Sequence, residues 1–294
     1  MKDLSVIIVS YNTKDLTFKC ISKLQTALRK GKLSWEIIVA DNNSTDGTQE
    51  ELKRISDNKE IKSILNKDNK GYGKANNQGL AVAEGRYILY LNSDVLVPEE
   101  AFFDVLVTDM DKHPLQGALT VRVQFPTGSI DPASHRGFPT VWRSFCYFSK
   151  LEFLTKNIPF LNRMFGGYHL THLPLNKKHE IDAPTGAFFL ARKEILSTLH
   201  GFDEDFFMYG EDLDLALRIK RMGYSIVYDP QFTVLHLKYQ SGIKKKNNTK
   251  VRSKTKGYFY DAMAIFYKKH YEKLYPGWIS ALVYAAIARK KAAV

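Results

Sequence analysis

Short apolar runs alternate with helix-length amphipathic segments through the first 125 residues, and no other feature narrows the fold as much. Leu4–Val9 reads as a buried strand, Asp15–Leu28 as an amphipathic helix and Trp35–Ala40 as a second strand followed by a helix around Thr48–Ser56. Ile61–Leu65 is a third strand, Lys74–Ala83 a helix and Arg86–Leu91 a fourth strand; Pro98–Met110 then reads as a helix and Gln116–Val123 as a strand. Parallel neighbours need a crossover connection, so this order predicts βαβ units and an α/β fold with a doubly wound, mostly parallel sheet. Ligands of such sheets bind beyond the carboxyl ends of the strands.

The strand ends are therefore the informative positions. The first gives Ser10-Tyr11-Asn12, and the second the run from Asp41 through Asn43 to Thr48. The third leads to Asn69–Gly79, with Gly71, Asn76 and Asn77, and the fourth ends in Asn92-Ser93-Asp94. Asn, Asp, Ser and Gly also serve turns and helix caps, which accounts for any one loop. Four such loops delivered to one edge point instead to a nucleotide site, where a carboxylate such as Asp41 can accept a pyrimidine ring N–H and glycines admit close backbone approach.

Residues 126–180 break the pattern. They carry Pro and Gly punctuation, no clear period, and nine Phe, Trp or Tyr residues between Phe138 and Tyr168. The expectation is an insertion that packs on the sheet and shapes a cleft. Regular structure resumes with a strand at Ala187–Leu190, a helix at Glu211–Met222 and two short strands at Tyr224–Tyr228 and Phe232–His236; Lys256–Tyr271 and Trp278–Lys291 read as helices. Six carboxylates fall between Asp203 and Asp214, interleaved with Phe206, Phe207, Met208 and Tyr209. Helix N-terminal dipoles and an Asp214–Arg218 pair explain Asp203, Glu204 and Asp214. Glu211 and Asp212 open a helix beside an aromatic wall, where desolvation raises a carboxylate pKa and suits a general base. Alternation turns His236 toward the core, which fits either a hydrogen-bonded core histidine or, with a carboxylate such as Asp94 nearby, a ligand of a divalent metal.

Charge separates the chain into two parts. Residues 1–237 hold 29 basic and 29 acidic side chains, and the last 57 residues hold 14 basic and two acidic ones, so the tail carries the whole formal net charge of +12. A neutral body argues against a nucleic-acid coat. Cys20 and Cys146 have no motif spacing, so a disulfide framework or a zinc site finds no support. The apolar run Val6–Val9 is too short for a signal peptide, and no stretch reaches the ~18 apolar residues of a membrane span. The expectation is a cytoplasmic protein.

In this order the motifs resemble those of family 2 inverting, nonprocessive glycosyltransferases, nearest the bacterial rhamnosyltransferase-like branch. They are Ser10-Tyr11-Asn12, Asp41–Thr48, Asn69–Gly79, Leu91–Asp94, Thr185-Gly186-Ala187, Gly201–Phe207, Gly210–Leu215 and a downstream His236. The resemblance implies a GT-A fold over 1–237, with a nucleotide-sugar-binding half at 1–125, an acceptor-side insertion at 126–180 and the catalytic-base and metal-histidine part at 181–237; 238–294 would be a basic, partly amphipathic helical tail. It implies donor-site roles for Ser10, Tyr11, Asn12, Asp41, Asn43, Gly71, Asn77, Asn92, Ser93, Asp94, Thr185 and Gly186. Asp212 would be the catalytic base, positioned by Glu211. Asp94 and His236 would hold Mg²⁺ or Mn²⁺, with Asn92 standing where many members carry another Asp.

The family's processive members have a Gln-x-x-Arg-Trp motif and membrane spans, both absent here. The implied donor is dTDP-rhamnose, with UDP-hexose or UDP-galactofuranose as the alternative. The implied acceptor is a hydroxyl of a glycan or a polyprenyl-diphosphate-linked saccharide in surface polysaccharide synthesis. A nucleotidyltransferase would need a Gly-rich phosphate loop near the N-terminus. A noncatalytic module for nucleic acid or phospholipid would leave the motifs of the neutral body unused, so no nucleic-acid partner is expected. The basic run Lys238–Lys256 and the aromatic segment after it suit peripheral docking on the inner leaflet of the plasma membrane. An oligomer is compatible with all of this.

Overall fold

A computed structural model describes residues 2–56, 60–237 and 249–293, with side chains from 255 onward in the last stretch. Of the basic run Lys238–Lys256, residues 238–248 lie outside the described residues.

The alternation becomes β1 (Lys2–Ser10), α1 (Lys14–Arg29), β2 (Trp35–Asp41), α2 (Thr48–Ile55), β3 (Ile61–Leu65), α3 (Tyr72–Val82) and β4 (Gly85–Asn92). β1 pairs in parallel with β2 and β4, and β2 with β3. The register sets Ser10 beside Asp41 and Val9 beside Asn92, which brings the polar strand ends to one edge. β5 (Val95–Leu96), α4 (Phe102–Lys112) and β6 (Gln116–Gln124) follow.

The segment read as aperiodic holds a 3₁₀ turn at Pro132–Ser134, three short helices α5 (Val141–Phe148), α6 (Leu151–Thr155) and α7 (Pro159–Phe165), and the two-residue strand β7 (His179–Glu180). β8 (Phe188–Arg192), α8 (Lys193–Thr198), α9 (Glu211–Arg221), β9 (Ser225–His236), α10 (Thr249–His270) and α11 (Gly277–Ala292) complete the chain. The sheet order is β3-β2-β1-β4-β8-β6-β9-β5, with β7 on β9. The sheet is mostly parallel, but β8 runs antiparallel to both β4 and β6.

One expectation is corrected. Tyr224–Tyr228 and Phe232–His236 are not two strands but the two halves of β9, which follows β6 in parallel through a register shift: Val121 faces Asp229 and Arg122 faces Thr233. The irregularity absorbs the Asp229-Pro230 turn-like sequence without ending the strand.

Period-2 alternation sends Leu4, Val6 and Ile8 to one face, against α1 and α4, and Ile7, Ile38, Ile88 and Tyr90 to the other, against α8 and α9. Ala262, Phe266, Tyr267 and Tyr271 join this second core. The helix α10 is thus built into the body.

Candidate active site

The first two loops brace each other at the parallel edge. Asn12 takes a left-handed conformation (φ 53°), and its side-chain carbonyl accepts hydrogen bonds from the Thr45 N–H at 2.8 Å and the Thr45 hydroxyl at 3.3 Å. Its own N–H donates to the Ser44 hydroxyl at 2.8 Å, which in turn donates to Asp41. Asp41 is fully buried and also accepts from the Ser44 N–H and the Gln49 amide, each at 2.8 Å. Its carboxylate serves its own loop from beneath the surface, and Asn42, whose side chain donates to the Gly71 carbonyl at 3.0 Å, stands on the wall in its place. Ser10 is fully buried as well, hydrogen-bonded to Thr17 at 3.0 Å.

The third loop is tied to the segment before α9. Gly71 sits at φ 84°, and a Cβ there would come within 2.6 Å of the Phe207 carbonyl oxygen, so only glycine fits. The Tyr72 N–H donates to that same carbonyl at 2.9 Å, and the Tyr72 hydroxyl donates to the Gly186 carbonyl at 2.8 Å. Asn77 brackets Phe202, accepting from its N–H and donating to its carbonyl, both at 2.8 Å. That makes Asn77 a brace behind the wall.

Glu211 and Asp212 open α9 and are both buried. One Asp212 oxygen accepts from the Arg136 guanidinium at 2.8 Å and the Gly186 N–H at 3.1 Å; the other accepts the Leu213 N–H at 2.8 Å. Among the described residues Oε2 of Glu211 has no hydrogen-bond partner. Burial, and then the adjacent Asp212 charge, pushes its carboxyl well above the usual range. Glu211 therefore holds its proton at neutral pH, beside an Asp212 carboxyl group that faces the Arg136 guanidinium. Arg136 also donates to the Pro184 carbonyl at 2.8 Å. The sequence reading did not single out Arg136, because its segment has no period and nothing local marks the residue.

His236 ends β9 opposite Val95 of β5, which puts it beside Asp94. Its Nε2 lies 3.3 Å from Asp94 Oδ1, and its Nδ1 lies 2.9 Å from Oδ2 of the fully buried Asp131. Burial works against imidazole protonation, but the Asp131 and Asp94 bonds outweigh it and raise the pKa. Asp131 is the second residue that sequence reasoning missed, for the same reason as Arg136.

Among the described residues no group of three or more His, Cys, Asp or Glu side chains stands in a metal-holding arrangement. Two do fit as a partial set. One ion bound by both Asp94 and His236 at about 2.1 Å would separate their donor atoms by about 3 Å, near the spacing seen. Asp131 would fix the imidazole tautomer from behind.

These centres open on one cavity of about 1790 Å³. Tyr11, Asn12, Gly71, Asn92, Ser93, Asp94, Thr185, Gly186, Glu211, Asp212 and His236 line it; Ser10, Asp41, Asn43 and Asn77 do not. Its far side is apolar, built by Phe145 and Phe148 of α5, Phe259 and Phe266 of α10, and Trp278 and Leu282 of α11.

Residues 5–199 match the family model "Glycosyl transferase family 2". The chain belongs to glycosyl transferase family 2. As a member it is similar to N-acetylglucosaminyl-diphospho-decaprenol L-rhamnosyltransferase of Mycobacterium tuberculosis, 27% identical over 249 residues that cover 81% of this chain and 77% of the relative. It is similar also to rhamnosyltransferase WbbL of Escherichia coli K12, 26% identical over 241 residues, 79% of this chain and 82% of the relative. The family 2 chain shares its fold with S. aureus TarS 1–349 at a TM-score of 0.53 and 16% identity, over 92% of this chain and 74% of that one. The fold is GT-A. Among the described residues of this glycosyltransferase no helix is long and apolar enough to cross a membrane.

Proposed function

We propose that this glycosyltransferase moves a rhamnosyl group from dTDP-rhamnose, with inversion and one sugar per encounter, to a hydroxyl of a polyprenyl-diphosphate-linked saccharide in surface polysaccharide synthesis. The observation that carries the reading is the shared cavity: the Asp212 carboxylate and the Asp94–His236 pair face the same space, and that space runs from polar strand-end loops to an apolar trough. The names of the two relatives support rhamnosyl transfer, and the first supports a diphospho-polyprenol acceptor.

In the mechanism, Asp212 takes the proton of the acceptor hydroxyl as that oxygen bonds to the anomeric carbon from the face opposite the leaving group. The bond from that carbon to the diphosphate oxygen breaks, and its electron pair leaves with the nucleoside diphosphate. Arg136 and the Gly186 N–H hold one Asp212 oxygen, so the other, with a single backbone bond, is the one placed to accept the proton. Asp94 and His236 would hold Mg²⁺ or Mn²⁺, which supplies charge neutralisation to the departing diphosphate. Tyr11, Asn12 and Asn42 line the donor end, and the basic tail draws the enzyme to the inner leaflet.

The test is turnover of a panel of dTDP- and UDP-sugars with and without EDTA. Asp212→Asn should lower turnover by about 10²–10⁴-fold while donor affinity holds. Near-parent turnover in that variant would remove Asp212 as the base.

A further inference from the structure

The transfer mechanism makes no use of the outer face of α5, α6 and α7. These helices are firmly built. The Thr140 hydroxyl caps α5 by accepting the Arg143 N–H at 3.2 Å, and the Asn162 amide donates to the Lys156 and Thr171 carbonyls, each at 3.1 Å. Glu152 is buried, accepting the His169 backbone N–H at 3.1 Å and pairing with the His169 imidazole, also at 3.1 Å. Outward, the same helices are apolar. Phe153 is 65% exposed, Leu154 69%, Phe160 74%, and Trp142 and Ile158 about half. Scattered apolar residues are ordinary on a surface, but a patch of this extent on one well-ordered excursion marks an interaction face.

The surrounding charge identifies the partner. Between residues 132 and 179 the sole acid is Glu152, and it is the buried one. The exposed charges beside the patch, Lys150, Lys156 and Arg163, are all positive, and the Lys156 ammonium sits 4.7 Å over the Phe153 ring. A second copy of this chain docking face to face would bring these cations together, which disfavours a symmetric dimer. An anionic bilayer complements both features: apolar side chains enter the acyl boundary while the cations meet headgroups. The patch meets the apolar mouth of the cavity on α5, where exposed Trp142 stacks at 5.9 Å on Phe145, which lines the trough.

We propose that the outer face of α5–α7 inserts into an anionic membrane surface and seats the apolar mouth of the cavity on the lipid. The inference rests on the lipid-linked acceptor reading and deepens it: the polyprenyl chain stays in the bilayer while its saccharide reaches Asp212.

The test is co-sedimentation of the full chain with phosphatidylcholine vesicles, with and without phosphatidylglycerol, against the triple variant Phe153→Ser, Leu154→Ser, Phe160→Ser. None of the three lines the cavity. The parent should bind the anionic vesicles, and the triple variant should bind them roughly tenfold or more weakly while hydrolysing nucleotide sugar in solution at the parent rate. If the triple variant melts at a lower temperature, Phe160→Ser alone carries the comparison, with an expected severalfold loss.

Vesicle binding undiminished in the variants overturns the proposal. So does equal parent binding to neutral and anionic vesicles. Self-association of the parent that the triple variant loses, with no vesicle binding, gives the face to a second copy and also overturns it. A parent that binds vesicles through this face but hydrolyses neither dTDP-rhamnose nor the UDP-sugars leaves the membrane surface standing and removes the proposed donor and acceptor reading instead.

Discussion

Replacing Asp214 by Asn tests how α10 is held to the body. Asp214 is fully buried and gathers three donors at 2.7 Å: Arg218 Nε on its own helix, and Lys269 Nζ and His270 Nε2 on α10. The Arg221 guanidinium, which can only donate, lies 3.1 Å from His270 Nδ1, so the ring proton is on Nε2 and points at Asp214. Burial alone would raise the Asp214 pKa; the His270 bond, the Arg218 charge and Lys269 together bring it down to about 2 from an ordinary 3.8. At about 1.4 kcal/mol per unit, this is about 2 kcal/mol of stability at neutral pH. The folded pKa is the lower one, so the contribution is complete well above pH 4 and is lost as the pH falls from about 4 to about 2, with roughly half remaining at pH 3.

Asp214→Asn keeps the shape and removes the charge. Arg218 retains the Leu199 and Gly201 carbonyls, each at 2.8 Å, and Lys269 retains Asp203, which keeps the loss below that of an uncompensated buried ion. Urea unfolding at pH 7 should show a deficit of about 2–3 kcal/mol that narrows toward pH 3, with faster amide exchange along the last turns of α10. A deficit under about 0.5 kcal/mol at pH 7, or one that does not change down to pH 3, would refute the reasoning.

Three further outcomes follow from the site. Glu211 has a folded pKa raised above its unfolded value, so it costs stability above its unfolded pKa, and the cost grows until its raised folded pKa near 8; Glu211→Gln should therefore gain stability between pH 5 and 8, and equal differences from the parent at the two ends would sink the assignment. Gly71→Ala places a Cβ at φ 84° against the Phe207 carbonyl, so it should cost at least about 1 kcal/mol and weaken nucleotide binding in calorimetry. Asp131→Asn should lower Mn²⁺ affinity in a nucleotide-dependent titration by about 10–100-fold, since it releases the His236 tautomer; an unchanged titration would leave His236 without a metal role.

The sheet edge was legible because βαβ units declare themselves twice, in strand length and in the polar residues that terminate each strand. Ser10 pairs with Asp41 and Val9 with Asn92 by register alone, and a parallel arrangement makes that register nearly unavoidable. What residue type at a strand end does not encode is depth. Asp41 and Asn77 turned out to brace loops, while Asn42, one residue on from Asp41, faces the cavity. The direction of β8 and the continuity of β9 were hidden for a different reason: both depend on which strands β6 accepts as neighbours, a long-range choice with no local pattern. The docking of α10 is similar, since His270 and Lys269 find Asp214 across 55 residues or more of chain.

The residues that complete the site come from the segment with the weakest pattern, and their arrangement explains why. Asp131 supports His236, and Arg136 holds Asp212, so the two chemical centres receive their partners from positions five apart in one stretch of chain. That stretch is fixed at both ends by backbone rather than by packing: Asp131 N–H donates to the Val123 carbonyl at 2.8 Å, and Arg136 pairs with Ala183 as an isolated bridge. A 3₁₀ turn at Pro132–Ser134 joins them, capped by the Asp131 carboxylate itself. Asp131 therefore sets the turn that delivers Arg136 while holding the imidazole that faces Asp94. A displacement of this turn would move the support of the diphosphate side and of the base together. Coupling of that kind needs neither helix nor strand, only a short loop with both of its ends pinned, and it leaves no periodicity behind.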